Sequence, residues 1–148
     1  MKTFGEFINE AKEDVDQNTS LLIKAIEKND IDEVKRLIPV SDPKANDSEA
    51  LVVAVMHNRL DIVKLLIPVS DPKANDSEAL QLAALHGYAK IVMLLIPVSD
   101  PKASNSRALE LAISKGYTNI AELLAPVCDP KIVKKLGFKK QKTSYLNS

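Results

Sequence analysis

Between Glu78 and Ser106 the chain reads EALQLAALHGYAKIVMLLIPVSDPKASNS, and its apolar residues fall into two short clusters. Ala79, Leu80, Ala83 and Ala84 share one face at helical spacing, which predicts a first helix that stops at Gly87. Glycine tolerates the left-handed conformation that closes a helix. A second helix is predicted at once over Ala89–Ile96, with Ile91, Val92, Leu94 and Leu95 toward a core. Pro97 ends it, because proline lacks an N–H and clashes with the preceding turn. The same pattern fills Ser20–Ser48, Glu49–Ser77 and Arg107–Lys135, whose first helices stop at Asn29, Asn58 and Gly116. Ser20, Ser48, Ser77 and Ser106, together with Asp47 and Asp76, are expected to cap the first helices through their side-chain oxygens.

The linking stretch is copied almost letter for letter. LIPVSDPKANDSEAL at Leu37–Leu51 returns unchanged at Leu66–Leu80, with three changes at Leu95–Leu109, and in decayed form at Leu123–Lys131. Pro39, Pro68, Pro97 and Pro126 set a constant period of 29 residues. A fixed period in this range predicts stacked units, each burying its apolar face against its neighbours.

Residues 20–135 resemble ankyrin repeats. The TPLHxAA pattern of that family is matched by EALVVAV at Glu49–Val55, EALQLAA at Glu78–Ala84 and RALELAI at Arg107–Ile113. Its GH pair is matched by Gly87-Tyr88 and Gly116-Tyr117, its IVKLL by Ile62–Leu66, and its GADPN loop by SDPKA. The resemblance implies an all-α, ankyrin-type solenoid of four helix-turn-helix units with a C-terminal half-repeat. The usual ankyrin period is about 33, so residues are missing here: one before Asp-Pro and three after it. Those are the residues of the projecting hairpin. Asp42-Pro43, Asp71-Pro72 and Asp100-Pro101 therefore read as a cap plus first helical position, in a tight loop with little or no sheet. The family's Thr and His are also absent, so their hydrogen bonds must be replaced.

Residues 1–18 stand outside the repeat. Phe4, Phe7, Ile8, Ala11 and Val15 form one apolar stripe, expected on a helix that caps the open end of the stack. MKTFGEFINE followed by Ala11 also resembles the capsid-targeting peptide of internal head proteins in T-even-type bacteriophages. In that family a prohead protease cuts after a glutamate with Ile or Leu two residues upstream. Ile8-Asn9-Glu10 fits, which implies a cut between Glu10 and Ala11. The two readings of the leader are compatible.

The domains expected are a leader or capping helix at 1–18, the ankyrin-repeat domain at 19–138, and a basic polar tail at 139–148. Ile132, Val133, Leu136 and Phe138 are sufficient for the closing half-repeat. Lys131, Lys134, Lys135, Lys139, Lys140 and Lys142 make this end basic, and the tail is expected to be disordered. It reads as a solubilising end or as a weak phosphate contact.

Composition narrows the function. The 148 residues carry 20 basic and 20 acidic side chains, so a globally basic nucleic-acid binder is not indicated. No run of 18 apolar residues is present and no membrane contact is expected. The first residues lack a secretory apolar core. The lone Cys128 excludes an internal disulfide and has no CxxC partner. His57 and His86 occupy equivalent positions one repeat apart, at a helix-packing pitch of about 10 Å, too far to share a metal ion. No catalytic constellation, phosphate loop, metal site or cofactor site is read.

Recognition remains. Comparison among the repeats shows Leu51, Leu80 and Leu109 held constant while the first-helix ends vary. The varying positions are Met56, His57 and Arg59, then Leu85, His86 and Tyr88, then Ser114, Lys115 and Tyr117. The ankyrin resemblance implies that such helix-end positions line the concave groove and contact a protein partner; drift on a solvated face is the bland alternative. The function expected is non-catalytic protein binding by a monomer. With the leader, it becomes a phage protein held in the head interior and delivered to the host cytoplasm, to bind or inhibit a host protein. Without the leader, it is a cytoplasmic ankyrin adaptor.

Overall fold

The computed structural model describes residues 1–139, which contain nine α-helices and no strand. They are α1 (Phe4–Glu27), α2 (Ile31–Leu37), α3 (Ala45–Met56), α4 (Leu60–Leu66), α5 (Ala74–His86), α6 (Ala89–Leu95), α7 (Ala103–Ser114), α8 (Thr118–Leu124) and α9 (Pro130–Lys135). The expected segment 140–148, with Lys140 and Lys142, lies outside the described residues. First helices α1, α3, α5 and α7 stack in one layer, second helices α2, α4, α6 and α8 in another, and α9 packs on α7.

The core is one residue pattern repeated. Leu22, Leu51, Leu80 and Leu109 are fully buried in the first layer, and Leu37, Leu66, Leu95 and Leu124 in the second. Ala25, Ala54, Ala83 and Ala112 stand one helical turn from the first set and are small enough to let neighbouring helices approach. Burying each leucine is worth about 1.5–3 kcal/mol relative to exposure.

The helix stops fall where expected. Asn29, Asn58, Gly87 and Gly116 have φ of 58°, 54°, 78° and 74°. The following N–H groups of Asp30, Arg59, Tyr88 and Tyr117 reach back to the carbonyls of Ala25, Ala54, Ala83 and Ala112, at 2.9 Å each. This is the Schellman arrangement, which satisfies carbonyls orphaned at a helix end. A Cβ on Gly87 would lie 2.9 Å from the Tyr117 ring, so that glycine also serves close packing between repeats.

The loops form helical turns. Asp42, Asp71, Asp100 and Asp129 each accept the N–H two residues on through Oδ1, at 3.1, 3.0, 3.0 and 2.9 Å. The next step departs from expectation. Asn46-Asp47-Ser48, Asn75-Asp76-Ser77 and Ser104-Asn105-Ser106 all have φ between 48° and 63°. Each triplet is a left-handed turn in front of a right-handed helix, although L-residues usually enter this region singly.

The left-handed turn reassigns the serines. Ser48, Ser77 and Ser106 do not cap their own helices, and neither do Asp47 and Asp76. Each serine Oγ instead accepts the N–H of the next loop's aspartate: Asp71 at 2.7 Å, Asp100 at 2.8 Å and Asp129 at 3.1 Å. Thr19, 29 residues before Ser48, does the same for Asp42 at 2.8 Å. Ser20 is out of register and donates to the Asp16 carbonyl within α1. These buried hydroxyls are the replacement that the missing family Thr and His require.

The first helix does not start at Ser20. α1 begins at Phe4, capped by a reciprocal Thr3–Glu6 box, and runs unbroken to Glu27. Only its C-terminal part packs, through Leu22, Ala25 and Ile26. Residues 1–14 are all exposed, so Phe4, Phe7, Ile8 and Ala11 shield nothing. The end of the stack is covered by the last turns of α1 instead. At the other end Ile132, Val133, Leu136 and Phe138 are half-buried and close the repeats.

Candidate functional site

Each first helix buries two of its faces and leaves one uncovered. On α3 that face is Glu49, Val52, Val53 and Met56, spaced i, i+3, i+4, i+7. The equivalent residues are Glu78, Gln81, Leu82 and Leu85 on α5, and Arg107, Glu110, Leu111 and Ser114 on α7. Because α3, α5 and α7 are neighbours, the three faces join into one surface. Its middle is apolar: Met56 is 52% exposed, and Val52, Val53, Leu82 and Leu85 are half-buried. One border carries Asp47, Glu49, Asp76 and the half-buried Glu78, the other His57, His86 and Lys115; all but Glu78 are exposed.

The nine residues singled out from sequence divide into three groups. Met56, Leu85 and Ser114 lie on this face. His57, His86 and Lys115 stand at its edge, with the His86 ring stacked on Tyr88 at 5.6 Å between centroids. Arg59, Tyr88 and Tyr117 begin the second helices instead. Two of these three reach the preceding repeat: Arg59 Nη2 donates to the Glu27 carbonyl at 2.8 Å, and Tyr117 packs on Gly87. Tyr88 borders a shallow cavity of about 370 Å³ with Asn58, Leu60 and Lys90.

Sequence reasoning passed over Val52, Val53, Gln81, Leu82 and Leu111. The signal that could have found them is variation between repeats, since Val52, Gln81 and Glu110 are equivalent positions with unrelated side chains.

The arrangement offers contact and no evident chemistry. Among the described residues no three His, Cys, Asp or Glu side chains converge as metal ligands. Cys128 is buried, and its thiol donates to the Pro101 carbonyl at 3.3 Å, as Ser99 does to that of Pro72. Burial pushes the Cys128 thiol up from its ordinary pKa, away from the thiolate a nucleophile needs. Among the described residues no helix is long and apolar enough to cross a membrane.

The family model described as Ankyrin repeats (3 copies) matches residues 2–76 and 68–135, most of the chain. The chain belongs to the ankyrin-repeat family. No curated protein and no solved structure matches it. Ankyrin repeats are generally protein-interaction modules and typically non-enzymatic. In this ankyrin-repeat chain the first helices α3, α5 and α7 keep one partly exposed face.

Proposed function

We propose that this chain is a non-catalytic binding module whose protein partner lies across the uncovered face of α3, α5 and α7. The observation that carries the reading is the patch of Val52, Val53, Met56, Leu82 and Leu85, in which Met56 is exposed and the other four remain partly exposed. An apolar centre bordered by charge is the composition of a contact surface. Ser114 continues the face on α7 and His57, His86 and Lys115 complete its edge, while Arg59, Tyr88 and Tyr117 contribute chiefly by holding the helix ends in place. The test is partner capture by the full chain and by a Met56→Asp/Leu85→Asp variant. Capture should be lost in that variant at unchanged helical content, and kept when the exposed loop residues Lys44 and Lys73 are changed to Glu. The opposite pattern would make the loops the binding face.

A narrower reading concerns the leader. Its resemblance to phage capsid-targeting peptides supports a protein carried in the head interior and released into the host cytoplasm, where it binds or inhibits a host protein. The position of Glu10 and Ala11 supports the same reading. Both are exposed, on a part of α1 held by its own helical bonds and by the Lys2–Glu10 ion pair. Termini of this kind open locally more readily than stacked repeats. Mass spectrometry of purified particles tests it: a mature N-terminus at Ala11 is expected. A protein starting at Met1, or absent from particles, would leave the adaptor without a virion role.

A further inference from the structure

At one end of the repeats α1 projects with Phe4, Phe7 and Ile8 exposed to 80%, 57% and 51%. That segment is acidic: Glu6, Glu10, Glu13, Asp14 and Asp16 outnumber Lys2 and Lys12. At the other end a cavity of about 500 Å³ opens beside α9, walled by Ala125, Pro126, Val133 and Phe138, with Lys134 and Lys139 among its lining. Lys131 and Lys135 are also exposed there, and no acidic residue follows Asp129 in the sequence. Among the described residues nothing covers either feature. They cannot meet within one molecule, because α1 is a single unbroken helix with α3 and α5 stacked between it and α7. At about 10 Å per packed helix α1 and α7 lie about 30 Å apart, beyond the roughly 16 Å that residues 4–14 span as a helix.

We propose that the α1 overhang of one copy docks in the cavity beside α9 of a second copy, head to tail. Phe4, Phe7 and Ile8 supply the apolar contact, and the acidic residues of the overhang face the lysines. This contact joins two different surfaces, so each added copy leaves one overhang and one cavity open, and the assembly grows in a line. It replaces the monomer expected from sequence. It does not depend on the partner reading, and a cut after Glu10 would end it by removing Phe4, Phe7 and Ile8.

Sedimentation of the full chain over a concentration series tests this. The mean mass should rise with concentration and fall back as salt is raised from about 0.1 M to about 1 M, where the Debye length shrinks from about 10 Å to about 3 Å. Phe4→Asp/Phe7→Asp should be monomeric, and so should Lys134→Glu/Lys139→Glu, whose exposed positions leave the fold intact. Mixed in equal amounts, the two variants should form a one-to-one dimer and nothing larger. A full chain that stays monomeric throughout would overturn the proposal. So would continued association of the lysine variant alone, which would mean that overhangs pair with each other. Met56→Asp/Leu85→Asp should assemble normally; loss of assembly there would put the overhang on the first-helix face and overturn the cavity assignment, whatever partner capture shows.

Discussion

The loop side of the repeats and the uncovered face of the first helices belong to the same units and differ in what holds them. In the loops each Asp-Pro aspartate and each triplet-ending serine has an assigned task. Aspartate folds the turn, three residues take the left-handed conformation, and the serine at its end accepts the next loop's N–H. A change at any of these positions strands a partner, and the loops are accordingly almost identical in sequence. On the helix face Val52, Gln81 and Glu110 occupy one equivalent position, and the side-chain bonds there, Gln81 to the Asp76 carbonyl and Arg107 to Glu110, stay within their own repeat. Sameness between repeats therefore reports intramolecular bonding, and difference reports surface available to something else.

That contrast can be broken most severely beneath both regions. Leu80→Ala removes a fully buried side chain in the central interface and should cost about 2–5 kcal/mol in a denaturant titration. Next comes the serine stitch. Ser77→Ala leaves the Asp100 N–H without its acceptor and should cost about 1–3 kcal/mol. Ser77→Gly loses the same bond but relieves the left-handed strain, so its loss should be smaller, and equal losses would mean that the φ of 60° stores nothing. Gly87→Ala puts a Cβ into a φ of 78° and against the Tyr117 ring, and should cost about 1–2 kcal/mol by thermal unfolding. Smallest is the helix face: Met56→Asp should move stability by no more than about 0.5 kcal/mol, its effect falling on binding alone. A large stability loss there would show that this surface, too, is internally constrained.

Much of this architecture was legible in the sequence. Period, helix stops and both leucine sets depend on local conformational preference and on helical spacing, which a single chain displays directly. The absence of strands from the described residues followed from counting the residues between Asp-Pro and the next helix. What stayed hidden depended on contact between units. A serine before a helix has the chemistry of a cap, and only the fold shows that Ser48 bonds Asp71 instead. Ser20 suggested a helix start, yet no proline or glycine interrupts α1 between Phe7 and Glu27, and the helix continues. At the site, the varying helix ends drew attention to Arg59 and Tyr117, whose side chains turn back to the preceding repeat. Val53 and Leu82 fall outside the apolar stripe read from sequence, and their partial exposure shows in the fold alone.

The serine stitch has a consequence for how the protein is made. Each of these bonds joins residues 23 positions apart, with the hydroxyl always on the earlier residue. No distant strand has to be found, so the mean sequence separation of native contacts stays short, the condition under which chains fold fast. Synthesis delivers the acceptor before the donor that needs it. A unit leaving the ribosome meets a finished surface with an oxygen already in place, and the repeats can assemble in the order in which they are translated.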